Sequence, residues 1–399
     1  MAQPEKLFSR EFIILGGLFF ITSAVMAVFF QFQQYLVSLG IDPGWFGFII
    51  GADSLAALFL QPLLTPFLHS GNARKWMLIG LTGMITALVL YRSAVTILPL
   101  VAVRMLTGAG FICFVSAMMA MIVDYIPAQK SGQAFGYLSL TRLMPYAVIP
   151  PFVGYLSVIS GGFTVMLIYS ACFIVVSLSL LLLIKSPAKN IDKTNRKKQG
   201  FTGREVLEDI KDRNVVILFL VNLLLYSGYT AVFFFLKDYG IKIGIANPGI
   251  FFTIATAAMI GIRLLSGTLF DKLNKVSLTA WSLTGLTVCY VALAHTHSLG
   301  LFYALSLLFG IGWGIVMPLL NALMFDLSQP RFRGFNLNLS LVFMQGSFFI
   351  GPFMGGFVMT TSGYRGLFYL CGILSIITAG LTWLISYKMT NNNGGNHDS

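Results

Sequence analysis

Three charged residues, Asp53, Arg104 and Arg142, stand inside long apolar runs of this chain. A charge buried in hydrocarbon costs at least about 2.5 kcal/mol, so such residues face a cavity or a partner. Asp53 lies about nine residues into its run and Arg104 about seven into its own from the same side. At about 1.5 Å per helical residue they reach similar depth, which makes an ion pair feasible. Burial disfavours the charged form of such a carboxylate, whereas a neighbouring guanidinium favours it. An anion competing for Arg104 would release Asp53 to take up a proton; the alternative is a static ion pair. Arg142 lies near mid-run in Thr141-Arg142-Leu-Met-Pro145-Tyr146, with no acidic residue at matching depth. A free guanidinium there suits an anionic ligand, because it grips carboxylate or phosphate bidentately. Alternatively, it bonds carbonyls freed by Pro145 or Pro150.

Uncharged polar residues in the runs extend the set: Gln31, Gln34, Asn222, Tyr226, Asn321, Asn338 and Gln345. Asn222 and Tyr226 are four apart and share one helical face. Each of these residues can line a cavity or tie helices together. No HExxH, GxSxG, P-loop GxxxxGK[ST] or clustered His/Asp/Glu set is present, so enzyme chemistry has no foothold and no cofactor is expected. Cys113, Cys172, Cys289 and Cys371 lie in separate runs without CxxC spacing and read as packing residues. His295 and His297 form an HxH, too few ligands for a metal site.

The elements that must position these residues are membrane helices. Apolar residues make up 57% of the chain and charged ones 10%, with a mean hydropathy of +0.83. Twelve apolar runs are long enough to span a bilayer, among them 12–36, 44–69, 97–123, 134–157, 215–236, 299–325 and 335–358. They are apolar all round rather than alternating, which predicts helices and not barrel strands. The polar start, Met1 to Arg10, precedes no small-residue cleavage site, so the first helix is expected to stay.

Basic residues set the orientation. Lys6, Arg10, Arg74, Lys75, Lys130, the nine from Lys185 to Arg213, Arg263, Lys272, Lys275, Arg331, Arg333 and Lys388 fall on the side of the N-terminus. Arg92, Lys237, Lys242 and Arg365 fall on the other. The positive-inside rule then places both termini in the cytoplasm. The net charge of +12 reflects this asymmetry, concentrated in a basic linker at 186–213 that suits anionic lipid headgroups rather than nucleic acid.

Two stretches about 202 residues apart match without a gap: Arg104-Met-Leu-Thr-Gly108-Ala-Gly110 to Asp124 and Gly132, and Ser306-Leu-Leu-Phe-Gly310-Ile-Gly312 to Asp326 and Gly334. This duplication predicts two six-helix bundles, 1–185 and 214–388, followed by a disordered polar tail at 389–399. Between the second and third runs of the second half stands Gly267-Thr-Leu269-Phe-Asp271-Lys272-Leu-Asn-Lys275, preceded by Arg263. The first-half copy reads Pro66-Phe-Leu68-His-Ser70-Gly-Asn-Ala-Arg74-Lys75, with Ser70 where the aspartate should be.

Twelve spans, a basic central loop, a two-fold repeat and this signature resemble the major facilitator superfamily. The resemblance covers nearly the whole chain. It implies an all-helical membrane fold of two pseudo-symmetric bundles that rock around a mid-membrane cavity. It also implies a cytoplasmic gate built from Asp271 and Lys272 with Arg331 and Arg333, weakened in the first half where Arg74 and Lys75 lack their acid. The stretch Asp124-Tyr-Ile-Pro127-Ala-Gln-Lys130-Ser-Gly132 resembles the family's loop between spans four and five. Gly351-Pro352-Phe-Met-Gly355-Gly356 resembles the glycine-proline motif that exporters carry in span five, where this chain has Pro150-Pro151 instead; both segments can flex or seal a helix contact. In the family, arginine at the Arg104 position is associated with proton coupling, which casts Asp53 as the proton carrier.

These features lead to the expectation of a proton-linked transporter of a small organic solute. Export, anionic or zwitterionic cargo, a monomer and a bacterial inner membrane are expected. Uptake by symport or uniport, a lipid flippase and a non-transporting membrane sensor are the alternatives.

Overall fold

The computed structural model describes residues 8–64, 67–68, 70–126, 131–184, 212–265, 273–329 and 332–394. Among these the secondary structure is helical throughout: α1 Arg10–Val28, α2 Phe32–Ser38, α3 Phe46–Leu64, α4 Ser70–Leu90, α5 Ile97–Ile122, α6 Ser131–Ile159, α7 Phe163–Leu182, α8 Arg213–Lys242, α9 Ile250–Leu265, α10 Lys275–Ala294, α11 Leu299–Leu327 and α12 Arg333–Gly394, with short 3-10 turns. Ten stretches are long and apolar enough to cross a membrane, and α9 is a shorter apolar helix. The last stretch, Phe335–Ile385, spans 51 residues and turns at Gly363, whose φ of 67° is left-handed and therefore suits glycine. The linker from 186 to 211 and the tail from 395 to 399, together with Gly267, Asp271, Lys272 and Arg331, lie outside the described residues, as does the side chain of Arg333.

Helix starts are capped where the sequence supplies an oxygen. Ser9 accepts from the Phe12 N–H at 3.2 Å and Asn274 from Val276 and Ser277 at 3.1 Å. Such caps satisfy amides that would otherwise be orphaned at the helix end. The first span is interrupted by a 3-10 turn at Phe29–Gln31, which separates α1 from α2 and turns Gln31 away from ideal helical geometry.

By compactness the chain divides into two units, Met1–Lys189 with Phe234–Thr256, and Asn190–Phe233 with Ala257–Ser399. In the first unit α5 packs on α3 and α4, and α1 on α6. In the second, α10 packs on α11 and α12. The duplicated glycines set equivalent helix contacts: Gly110 meets Met84 and the Gly80 carbonyl, and Gly312 meets Leu286. Met84 and Leu286 are themselves 202 residues apart, so the repeat read in α5 and α11 extends to the helices they pack against.

Candidate functional site

The deep acid and base meet. Arg104 is fully buried, and its Nη2 stands 2.9 Å from Asp53 Oδ2. Gly108, one turn along α5 on the same face, explains the approach: a Cβ there would collide with the Asp53 backbone, so only glycine lets α5 close on α3 at this level. Arg104 Nη2 also donates to the Ile50 carbonyl at 2.5 Å. Asp53 Oδ1 accepts the Ser54 N–H at 2.8 Å. The carbonyl that helical geometry would assign to Ser54 is thus shared with the arginine, and the carboxylate is oriented by its own backbone. Phe29 and Phe32 lie 4.6 and 5.0 Å from the guanidinium carbon. Desolvated ring faces of this kind stabilise a cation by roughly 2 kcal/mol. Arg104 Nε and Nη1 have no hydrogen-bond partner among the described residues.

Arg142 is half-buried on α6, and no carboxylate pairs with it among the described residues. Tyr146, one turn further, lies within electrostatic reach of both Arg142 and Asp53. Asp53, Arg104, Arg142 and Tyr146 therefore form one constellation in the first unit.

In the second unit Asn222 is buried and donates to the Leu218 carbonyl of its own helix at 2.9 Å. Tyr226 packs beside Trp313 and Phe348, with ring centroids 5.4 and 6.3 Å away. Gln345 is half-buried, and the Asn338 side chain lies outside the described residues. Asn321 is exposed, and Leu319, Leu320, Leu323 and Met324 around it are buried.

Sequence reasoning placed Lys237 in an outer loop, where the apolar run ended at 236. The structure corrects this: α8 continues to Lys242, and Lys237 is 8% exposed. The deep charges are thus not limited to three. Asp238 beside it accepts a hydrogen bond from Gln34. The available signal was Gln31 and Gln34 at a matching level of the first span, two polar residues in need of partners.

Among the candidate gate residues, Arg74 is half-buried and Lys75 exposed at the start of α4. The signature's last basic residue, Lys275, pairs with Asp326 at 2.7 Å. Pro150 and Pro151 lie inside α6 and make a cross-helix contact. Pro151 has no N–H for the Ala147 carbonyl, and Thr253 Oγ1 donates to that carbonyl at 2.5 Å. Asn247 Nδ2 donates to the Pro151 carbonyl at 2.9 Å, and Gly249 leaves no room for a Cβ against Pro150. Gly351, followed by Pro352 in α12, packs as closely on Ser227 and Thr230 of α8. His295 is engaged by the Tyr369 hydroxyl at 2.6 Å. Cys113, Cys289 and Cys371 are buried free thiols, and Cys172 is exposed.

A sequence model described as Major Facilitator Superfamily matches residues 12–346. The chain is similar to YuxJ of Bacillus subtilis (strain 168), an uncharacterized MFS-type transporter. The two are 22% identical over 380 residues, covering 92% of this chain and 96% of that one. It is 24% identical over 372 residues to PmrA of Streptococcus pneumoniae serotype 4, a multi-drug resistance efflux pump, covering 88% of this chain and 89% of PmrA. Its fold resembles that of a bacterial homolog of the human lysosomal transporter Spinster, crystallised inward-facing and unoccupied. The TM-score is 0.81 at 14% identity, with 96% of this chain and 98% of that one covered.

Proposed function

Because this chain belongs to the Major Facilitator Superfamily, we propose that it is a proton-coupled exporter of small organic solutes, with a preference for anionic or zwitterionic molecules. Members of the family are multi-pass membrane transporters of small molecules, not enzymes. The observation that carries the proton-coupled reading is the Asp53–Arg104 pair, buried and joined at 2.9 Å. Cargo that draws on Arg104 leaves a desolvated carboxylate whose cheapest state is protonated, and restoring the pair expels that proton. Export is supported by the likeness to PmrA. The anionic preference is supported by Arg142, a guanidinium without a carboxylate partner near that pair.

The remaining parts follow the same reading. Both termini are cytoplasmic, the basic linker touches lipid headgroups, and a monomer in a bacterial inner membrane suffices, each half supplying the other's partner. The halves 1–185 and 214–388 rock about a mid-membrane cavity to which Gln31, Gln34, Asn222, Tyr226, Asn338 and Gln345 contribute polar groups. Asn321, exposed on α11, contributes likewise. Arg74, Lys75, Gly267, Asp271, Lys272, Arg331 and Arg333 close the cytoplasmic side. Pro150, Pro151, Gly351 and Pro352 form the flexible helix contacts.

The test is proton flux into liposomes containing the purified protein, driven by anionic, zwitterionic and cationic solutes. Substrate-dependent proton movement is expected in the parent, abolished in Asp53→Asn, with anion selectivity abolished in Arg142→Ala. Solute movement without protons, indifferent to Asp53→Asn, would overturn the coupling.

A further inference from the structure

The outer part of α8 carries a buried cation that the Asp53 constellation does not use. Lys237 Nζ has no hydrogen-bond acceptor among the described residues, although the residue is 8% exposed. Its neighbour Asp238 faces Gln34 and lies within electrostatic reach of Lys237, with no hydrogen bond from Nζ to it among the described residues. Gln31, one helical turn before Gln34, presents an Oε1 that is likewise buried and without a partner. Between these groups there is room for a methyl group and no more. A Cβ built on Gly154 of α6 would stand 3.6 Å from Lys237 Nζ and 3.9 Å from Gln31 Oε1, ordinary contact distances. The Phe30 ring centroid lies 5.7 Å from Nζ, and Phe252 packs edge-on to Phe30 at 5.3 Å. All of these residues belong to the first compact unit.

An ammonium taken from water without an acceptor is costly, and a methionine would fill the same volume without that cost. Its position beside an unmatched amide is that of a recognition group awaiting an oxyanion. We propose that Lys237, with Gln31 and the aromatic face of Phe30, forms a subsite for the carboxylate of an organic anion with an apolar body. Nζ donates to one carboxylate oxygen. A rotation of the Gln31 amide turns its NH2 toward the other. Phe30 and Phe252 pack on the apolar body, which separates this ligand from a bare phosphate. The subsite rests on the anionic-cargo reading above and adds to it the group that holds the carboxylate toward the outer end of α8.

The experiment is equilibrium binding of benzoate, inorganic phosphate and benzamide to the full chain in lipid nanodiscs, with thermal unfolding of each variant recorded without ligand. Benzoate is expected to bind the parent and benzamide not. Lys237→Met should weaken benzoate by at least about tenfold, the size of a lost charge-assisted hydrogen bond, while unfolding no earlier than the parent. Lys237→Arg should retain binding within a few fold. Benzoate binding unchanged in Lys237→Met but abolished in Arg142→Ala would overturn this subsite and leave the anionic-cargo reading standing. A parent that binds no anion, yet moves protons with cationic or neutral solutes, would remove that reading and the subsite with it. Earlier unfolding of Lys237→Met, unrescued by Lys237→Arg, would make Lys237 a structural residue, and preference for phosphate over benzoate would refute the carboxylate assignment.

Discussion

The neighbourhood of Arg104 and that of its repeat counterpart Ser306 share a scaffold and differ in chemistry. In both, a glycine of the duplicated stretch seats α5 or α11 against the preceding helix, Gly110 on Met84 and Gly312 on Leu286. Yet Arg104 reaches across to Asp53, whereas Ser306 turns back to the Tyr303 carbonyl of its own helix at 2.6 Å. The stretch of α9 that matches Asp53 carries Ile254 and Ala255. Duplication preserved the packing glycines, and among the described residues the buried charge pair stands in the first copy. The contacts that make a bundle are thus separable from the groups that could move a proton, and the separation can be tested by substitution.

The largest difference is expected from removing one charge. Arg104→Ala leaves a buried carboxylate without its partner and should cost about 3–5 kcal/mol in unfolding in mild detergent. Ser306→Ala removes a hydrogen bond internal to one helix and should cost about 0.5–1.5 kcal/mol. Replacing Asp53 and Arg104 together by leucine should recover much of the stability while leaving no proton-coupled flux. If Arg104→Ala costs no more than Ser306→Ala, the two neighbourhoods are energetically alike and the contrast fails.

A smaller difference concerns the glycines. At Gly108 an added Cβ meets the Asp53 backbone, which cannot yield without moving α3. At Gly312 the added atom meets the Leu286 side chain, which can change rotamer. Gly108→Ala should therefore destabilise by about 1–3 kcal/mol, as overpacking does, and Gly312→Ala by less. Gly108→Ala should also reduce proton-coupled flux, because Arg104 sits one turn away on the displaced face. Equal costs in the same unfolding measurement would show that α3 moves as freely as the Leu286 side chain.

The helical membrane fold, the repeat and the Asp53–Arg104 pair were legible because each depends on position along a helix axis, which the 1.5 Å rise converts directly from residue count. Facing is harder to read. Lys237 was assigned to a loop because charge usually ends an apolar run, and a lysine enclosed by Gln31, Phe30 and Gly154 requires contacts from two other helices that no local pattern encodes. The signature aspartate Asp271 drew attention for its family role, whereas the contact formed among the described residues joins Lys275 to Asp326, a residue noted only as a repeat marker.

That Lys275–Asp326 pair supplies the smallest expected effect. Its side chains are 27% and 47% exposed, so water and salt screen it, and Lys275→Ala should change stability by no more than about 1 kcal/mol. The pair joins the start of α10 to the end of α11. A weak tie on the proposed cytoplasmic side acts mainly on the balance between conformations, because a contact of about 1 kcal/mol shifts a two-state ratio roughly fivefold. Lys275→Ala should therefore raise labelling of a cysteine placed at the cytoplasmic end of α11, with the unfolding midpoint nearly unchanged. The exchange Lys275→Asp with Asp326→Lys should restore the parent's labelling. If the exchanged pair labels like Lys275→Ala, the tie does not set the balance between conformations.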